Sequence, residues 1–315
     1  MRNEQEYIYM VYQKGSFSKA AQALYLTQPA LSIAIQKIEH EIGMPLFDRN
    51  QKPLGLTEAG RIYIEKLRQM RILEDELASQ LMDLTSMNSG NVRIGGSSYM
   101  LSCIVAPVLL QFKKKYPGIN LDIVEAGAYE LKEMLRDQKL DMTFISRQEK
   151  EDPFICHPAF RDTLLLAVPA GLPVSRGLEP FAMTWRDVQN KRHLEPDCPC
   201  IDLVPFKEIP FILLEPKYNL RQRSDGFFRE SGIAPYVIVE VAQLVTAYAL
   251  EQAGIGATIV PDRAVIRPDP NSVFYKLPYA QTVRLLYIVT HERSYVSLAT
   301  KHFIDMFDAY YNPKE

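Results

Sequence analysis

Residues 15–60, GSFSKAAQALYLTQPALSIAIQKIEHEIGMPLFDRNQKPLGLTEAG, constrain the fold more than any other stretch of the chain. The pattern predicts two short helices, a tight turn, a third helix and a β-wing, the plan that places one helix in a DNA major groove. Ser16 or Ser18 is placed to cap the first short helix, and Ala20, Ala21, Ala23 and Leu24 give it a slim apolar face. Small side chains there let two helices cross closely. Thr27 is placed to cap the next helix, with Pro29 in its first turn, where a missing N–H costs nothing. Leu31, Ile35 and Ile38 recur at i, i+4 and i+7 and predict a buried stripe. Gln28, Ser32, Gln36 and Lys37 lie opposite, with donors and acceptors suited to base edges or phosphates. Gly43 is a helix stop. Leu46 and Phe47 are expected to anchor the wing, and Arg49 and Lys52 to point towards a phosphate backbone. Apolar spacing alone would suit an ordinary three-helix packing unit. Spacing, capping and wing together favour DNA binding.

The residues that carry the pattern are Gly15-Ser16-Phe17, Ala20-Ala21, Leu24, Thr27 to Ser32, Ile35, Ile38-Glu39, Ile42-Gly43, Leu46-Phe47, Arg49, Leu56-Thr57 and Ala59-Gly60. In this order and spacing they resemble the N-terminal domain of LysR-type transcriptional regulators. The resemblance implies a winged helix-turn-helix domain over residues 1–58. Its DNA contacts would come from Ser18, Lys19, Thr27, Gln28, Pro29, Ser32, Ile33, Gln36, Lys37, Arg49 and Lys52. Two positions depart from the family pattern. Ile33 stands where a polar or basic residue is frequent, and Ala34 where Gln is frequent. Base readout is therefore expected to rest more on Gln28, Pro29, Ser32 and the wing.

Charge sets the regime of binding. The chain of 315 residues carries a net charge of −2. Residues 1–60 balance Arg2, Lys14, Lys19, Lys37, Arg49 and Lys52 against Glu4, Glu6, Glu39, Glu41, Asp48 and Glu58. Charge-driven, non-specific binding is disfavoured, and a single copy should bind weakly. Several linked copies would compensate through effective concentration. No run of about 18 apolar residues predicts a membrane span. MRNEQEYIYMVYQKG lacks the basic-then-apolar order of a signal peptide, so a cytoplasmic location is expected. Cys103, Cys156, Cys198 and Cys200 are then expected as reduced thiols.

Residues 58–88 hold no proline and no glycine after Gly60, and apolar residues recur from Ile64 to Leu84. They predict one long helix of roughly 40 Å. The resemblance implies that residues 59–88 form an antiparallel dimerisation helix; packing on its own chain is the alternative. Met87 to Asn91 is expected as a hinge. From Val92 strands and helices alternate, which argues for parallel sheets with helical crossovers.

This region resembles the family's effector domain, itself similar to type 2 periplasmic binding proteins, through Asn219-Leu220-Arg221, Gly232, Pro235, Glu240, Ala253 to Gly256 and Val260-Pro261. The expected fold class is α plus α/β: winged helix-turn-helix, long linker helix, then two Rossmann-like subdomains over 92–311. The resemblance implies subdomain one at 92–165 and 268–311, subdomain two at 166–267, two crossing strands that join them, and a small molecule between them. Ser97 and Ser98 sit where the first strand meets its helix, which suits a small anionic effector. Ser146 ends a strand of the same sheet, and Tyr218 and Asn219 open a helix across the cleft. A plain cap or turn residue is the alternative for each. Arg221 reads as structural, paired with Asp225 one turn later.

Residues 181–205 exceed the family's usual spacing and hold Cys198-Pro199-Cys200. A second ligand pair is lacking, so solvated-loop cysteines are expected, with His193 the one companion. Cys103 is expected as a buried helical thiol. No catalytic motif and no cofactor motif occurs, so no catalytic residue, cofactor or metal is assigned. The expected protein is a ligand-responsive regulator and not an enzyme. Its partners are double-stranded DNA at a promoter inverted repeat, a small-molecule effector, further copies of itself as a homodimer or homotetramer, and RNA polymerase. A solute-binding carrier or enzyme, with helices serving only for oligomerisation, is the competing reading.

Overall fold

The computed structural model describes residues 3–51, 53–84, 90–146, 153–175, 177–292 and 294–313. The chain divides into two compact units, Met1–Leu84 and Thr85–Glu315.

The first unit contains α1 (Asn3–Lys14), α2 (Phe17–Ala23), α3 (Gln28–Ile42), a two-stranded wing of β1 (Phe47–Asp48) and β2 (Gly55–Leu56), and α4 (Glu58–Asp83). One short helix, not two, lies between residue 15 and the turn. The other is α1, for which no element was expected, and it contributes buried Ile8, Tyr9 and Val11. Ser16 is the N-cap of α2, its hydroxyl accepting from the Lys19 amide at 3.4 Å. Ala20 and Ala21 are buried at the crossing, whereas Ala23 is exposed. Thr27 caps α3 by accepting from the Ala30 amide at 3.3 Å, and Leu31, Ile35 and Ile38 form its buried stripe. Gly43 ends α3 at φ 77°, a left-handed conformation that glycine adopts without strain. Gly60, in the first turn of α4, is required for closeness: a Cβ there would lie 2.0 Å from the Leu46 carbonyl oxygen. That contact seats α4 under the wing.

The second unit is two-lobed. The first lobe holds β3 (Gly90–Gly96), α5 (Ala106–Lys115), β4 (Ile119–Glu125), α6 (Ala128–Arg136), β5 (Thr143–Ile145) and the first part of β6 (Phe154–Pro169). The second lobe holds the rest of β6, then β7 (Ala182–Met183), α7 (Trp185–Gln189), β8 (Pro210–Leu214), α8 (Asn219–Glu230), β9 (Tyr236–Val241), α9 (Leu244–Gln252), β10 (Thr258–Pro261) and β11 (Ser272–Lys276). The chain then returns through β12 (Val283–His291) and α10 (Leu298–Tyr311) to the first. Each lobe has the expected parallel core: β3 with β4, and β8 with β9. Ile94–Met142 and Phe211–Ala257 extend these cores as parallel bridges.

The crossing strands do not follow the parallel expectation. Phe154–Thr163 of β6 pairs antiparallel with β12, and Leu164–Pro169 pairs antiparallel with β10 and β11. β6 thus serves both lobes, and Leu164 to Val168 are fully buried, a continuous apolar run covered on both faces. β11 pairs antiparallel with β7 as well as with β6. The expected hinge at 87–91 is superseded at its end, where Gly90 and Asn91 are part of β3; residues 87–89 lie outside the described residues. The helix after β3 begins at Ser98 and passes into a π-helical stretch, Met100–Val105. Its Ile104 carbonyl accepts from the Tyr311 hydroxyl at 2.6 Å.

Residues 181–205 are not a solvated loop. Met183, Val188, His193, Cys198, Ile201 and Leu203 are buried in the core of the second lobe. Cys200 is exposed, and Cys103 is half-buried rather than buried. Cys103, Cys198 and Cys200 are free thiols.

Candidate nucleic-acid interface and ligand cleft

The face of α3 turned away from its buried stripe carries Gln28, Pro29, Ile33, Gln36 and Lys37, all exposed, with Ser32 half-exposed among them. Ser18 and Lys19 are exposed on α2, and Thr27 is spent on capping. Lys52 lies outside the described residues. Arg49, 40% exposed, makes contacts within its own unit that spacing did not show. Its Nη2 donates to the Glu39 carboxylate at 3.1 Å, and its guanidinium lies over the Phe17 ring at 5.1 Å. The other Glu39 oxygen accepts from the amides of Leu46 at 2.8 Å and Phe47 at 3.2 Å. One carboxylate on α3 therefore fixes the start of the wing and the arginine that follows it. Phe17 and Phe47 pack edge to face beneath them at 5.6 Å.

α4 runs for 26 residues, about 39 Å at 1.5 Å per residue. Ile64 and Leu67 are buried against the first unit. Further along, Leu73, Leu77 and Leu81 are 64%, 58% and 56% exposed. An apolar stripe at helical spacing is left open over the second half of the helix.

A cavity of about 470 Å³ lies between the lobes of the second unit, in the usual size range of small-molecule sites, about 300–1,000 Å³. Ser97 and Ser146 line it from the first lobe, and Tyr218 and Asn219 from the second. The Ser146 hydroxyl donates to the Asn219 side-chain oxygen at 3.0 Å, a direct bridge across the cleft. The same oxygen accepts from Arg223 Nε at 3.1 Å. Ser98, expected in the site, is not among the lining residues. It is the first residue of the helix, and its carbonyl accepts from the Ser102 hydroxyl at 2.6 Å. Arg221 is structural as expected, held by Asp225 at 2.8 Å, by Glu240 and by the Leu214 carbonyl.

Sequence reasoning missed the charged floor of the cavity. Arg284, at the start of β12, lines it and is buried. Its Nε donates to Asp162 of β6 at 2.7 Å, its Nη2 to the second Asp162 oxygen, and the Tyr99 hydroxyl donates to that oxygen at 3.0 Å. Burial opposes the Arg284 charge, but the Asp162 carboxylate outweighs it and holds the guanidinium pKa above its ordinary value. Burial and the Asp162 charge push the Tyr99 phenol well above its usual range. The available signal was the charge heading each of two apolar runs, Arg161-Asp162 before TLLLAV and Arg284 before LLYIVTH. Lys132 and Lys217 also line the cavity, and no carboxylate occurs among the described lining residues. Behind the floor, Asp262 accepts from the Thr163 amide at 3.0 Å and pairs with buried His193 at 2.9 Å. His193 is thus committed to Asp262 rather than to the Cys198-Pro199-Cys200 segment.

A winged helix-turn-helix, a long helix with an open apolar stripe and a two-lobed α/β domain with a polar-floored cleft define a ligand-responsive DNA-binding regulator. Residues 3–61 match the bacterial regulatory helix-turn-helix protein model of the lysR family, and residues 85–205 and 196–311 match the LysR substrate binding domain. The chain belongs to the LysR family of transcriptional regulators. It is 27% identical over 301 residues to the uncharacterised HTH-type transcriptional regulator YcgK of Bacillus subtilis (strain 168), covering 96% of this chain and 92% of that protein. The crystal structure of full-length CbnR complexed with its target DNA shares the fold at a TM-score of 0.63, with 16% identity and 98% of each chain covered. The effector binding domain of QuiR in complex with shikimate shares it at 0.55, with 19% identity, covering 71% of this chain and 97% of that one.

Proposed function

We propose that this regulator reads an interrupted inverted repeat through the exposed face of α3 in two copies of residues 1–58. The copies are held together by pairing of the α4 stripe over residues 59–88. The observation that carries the reading is the exposed, largely polar face Gln28, Pro29, Ser32, Ile33, Gln36 and Lys37, capped by Thr27 and tied to the wing by Glu39. Its charge balance favours several heads per site, which supports a tetramer in the cytoplasm and contact with RNA polymerase at the promoter. CbnR with its target DNA supports the DNA role by analogy.

Residues 92–311 bind a small anionic effector in the cleft. Lys132 and Arg284, with the Ser97 and Ser146 hydroxyls, supply cationic and donor groups, while Asp162 lies behind Arg284 out of reach of a ligand. QuiR with shikimate is a supporting analogy. The Ser146–Asn219 bridge is the protein contact that an entering effector replaces, and unequal binding to the bridged and unbridged states is what couples the cleft to DNA. The chain performs no catalysis on this reading. Binding of the full chain to labelled duplex from its own upstream region tests it. Specific binding is expected for wild type and lost in Gln28→Ala/Ser32→Ala. Equal affinity for random duplex would refute it.

A further inference from the structure

Pro29, Ser32, Ile33 and Gln36 stand at i, i+3, i+4 and i+7 and so form one stripe on α3. Ile33 is 66% exposed in the middle of it, with Leu31, Ile35 and Ile38 buried on the other side of the helix. A β-branched side chain on a helix has essentially one rotamer, so Ile33 presents its apolar end in a fixed direction. Such a group, on a face whose other members besides Pro29 are polar, has no partner in water. On the major-groove edges of DNA, the apolar feature is the 5-methyl group of thymine.

We propose that Ile33 is a specificity-determining residue that reads a thymine methyl in each half-site. The inference rests on α3 being the recognition helix. Ile33 has no donor for guanine O6 or N7, so the base beneath it is chosen by the methyl contact. It also leaves a cytosine amino group desolvated and unpaired, which rejects that base. Gln28 and Gln36 flank it with amides of the type that matches adenine, so the half-site is read chiefly as A·T pairs.

The test uses the full chain and a duplex obtained by in vitro selection against it. Each thymine is replaced in turn by deoxyuridine, which lacks only the methyl group. At one thymine per half-site, wild type is expected to lose about fourfold in affinity, the value of one buried methyl. Ile33→Ala is expected to bind the original duplex more weakly and to be indifferent to deoxyuridine there. Ile33→Arg is expected to shift selection at that position towards guanine. An exposed position leaves the fold intact, so both variants should melt as wild type does. The proposal is overturned if wild type tolerates deoxyuridine at every thymine, or if Ile33→Ala keeps the wild-type sensitivity. Failure to select any sequence would overturn the recognition-helix reading itself, and this proposal with it.

Discussion

Arg49→Gln separates two roles that an arginine in a DNA-binding wing can play: touching phosphate, or holding the wing to the helix beside it. Arg49 is 40% exposed and donates to Glu39, whose second oxygen also takes the Leu46 and Phe47 amides. The ion pair, being partly solvated, is worth about 0.2–1 kcal/mol. The guanidinium over Phe17 adds about 0.5–1 kcal/mol. Their loss therefore loosens the wing by about 0.7–2 kcal/mol, a factor of roughly 3–30 in an equilibrium. If the wing is needed for binding, Kd rises within that range. The number of neutralised phosphates, however, does not change. Kd is measured by fluorescence anisotropy between about 50 and 200 mM salt, where each lost phosphate contact lowers the log–log slope by about 0.9. Arg49→Gln and Glu39→Gln are expected to give weaker binding with slopes parallel to wild type. Lys37→Met, an exposed cation on the reading face, is expected to flatten the slope by about 0.9 per copy. A slope for Arg49→Gln reduced as much as that of Lys37→Met would refute the clamp.

Three further expectations follow from the second unit and α4. Asp162→Asn leaves Arg284 buried without a counter-charge and should cost about 3–5 kcal/mol in chemical denaturation; a loss under about 1 kcal/mol would show that the pair is dispensable. Burial pushes Glu251 up to about 8, with the Asp269 charge adding to it and the Ser272 hydrogen bond opposing it. Between about 4.5 and 8 the folded state then holds a proton that the unfolded chain lacks, so stability falls as pH rises, by at most about 1.4 kcal/mol per pH unit. Glu251→Gln should flatten that dependence, and an unchanged pH profile of Tm would contradict the assignment. Leu77→Glu places a charge in the open stripe of α4 and should shift sedimentation towards monomer; an unaltered assembly would exclude the stripe as the contact.

The legible parts of the molecule are local ones. Caps at Ser16 and Thr27, the stripe Leu31–Ile35–Ile38 and the stop at Gly43 all lie within a turn or two of the residues they act on, so spacing reports them directly. α1 went unread because its tyrosines, at 7, 9 and 12, blur the boundary between its buried and exposed sides. In the cleft, Ser97, Ser146, Tyr218 and Asn219 were reachable because element ends of α/β sheets gather ligands. Ser98, one position on, was not distinguishable from Ser97 by that argument.

What the sequence alone determined, then, is the reading head, its polar face and the order of elements in the two-lobed unit, because helix capping and periodicity act over three or four residues. Only the tertiary structure decided which groups meet at long range. It committed Arg49 to Glu39, buried the inserted segment around His193, and turned β6 into an antiparallel crossing strand. It also set Asp162 against Arg284, 122 positions apart, at the floor of the cleft. An aspartate next to Arg161 and an arginine at the head of a second apolar strand are unremarkable separately. They become a site once packing removes both from water and each is left with the other as its counter-charge.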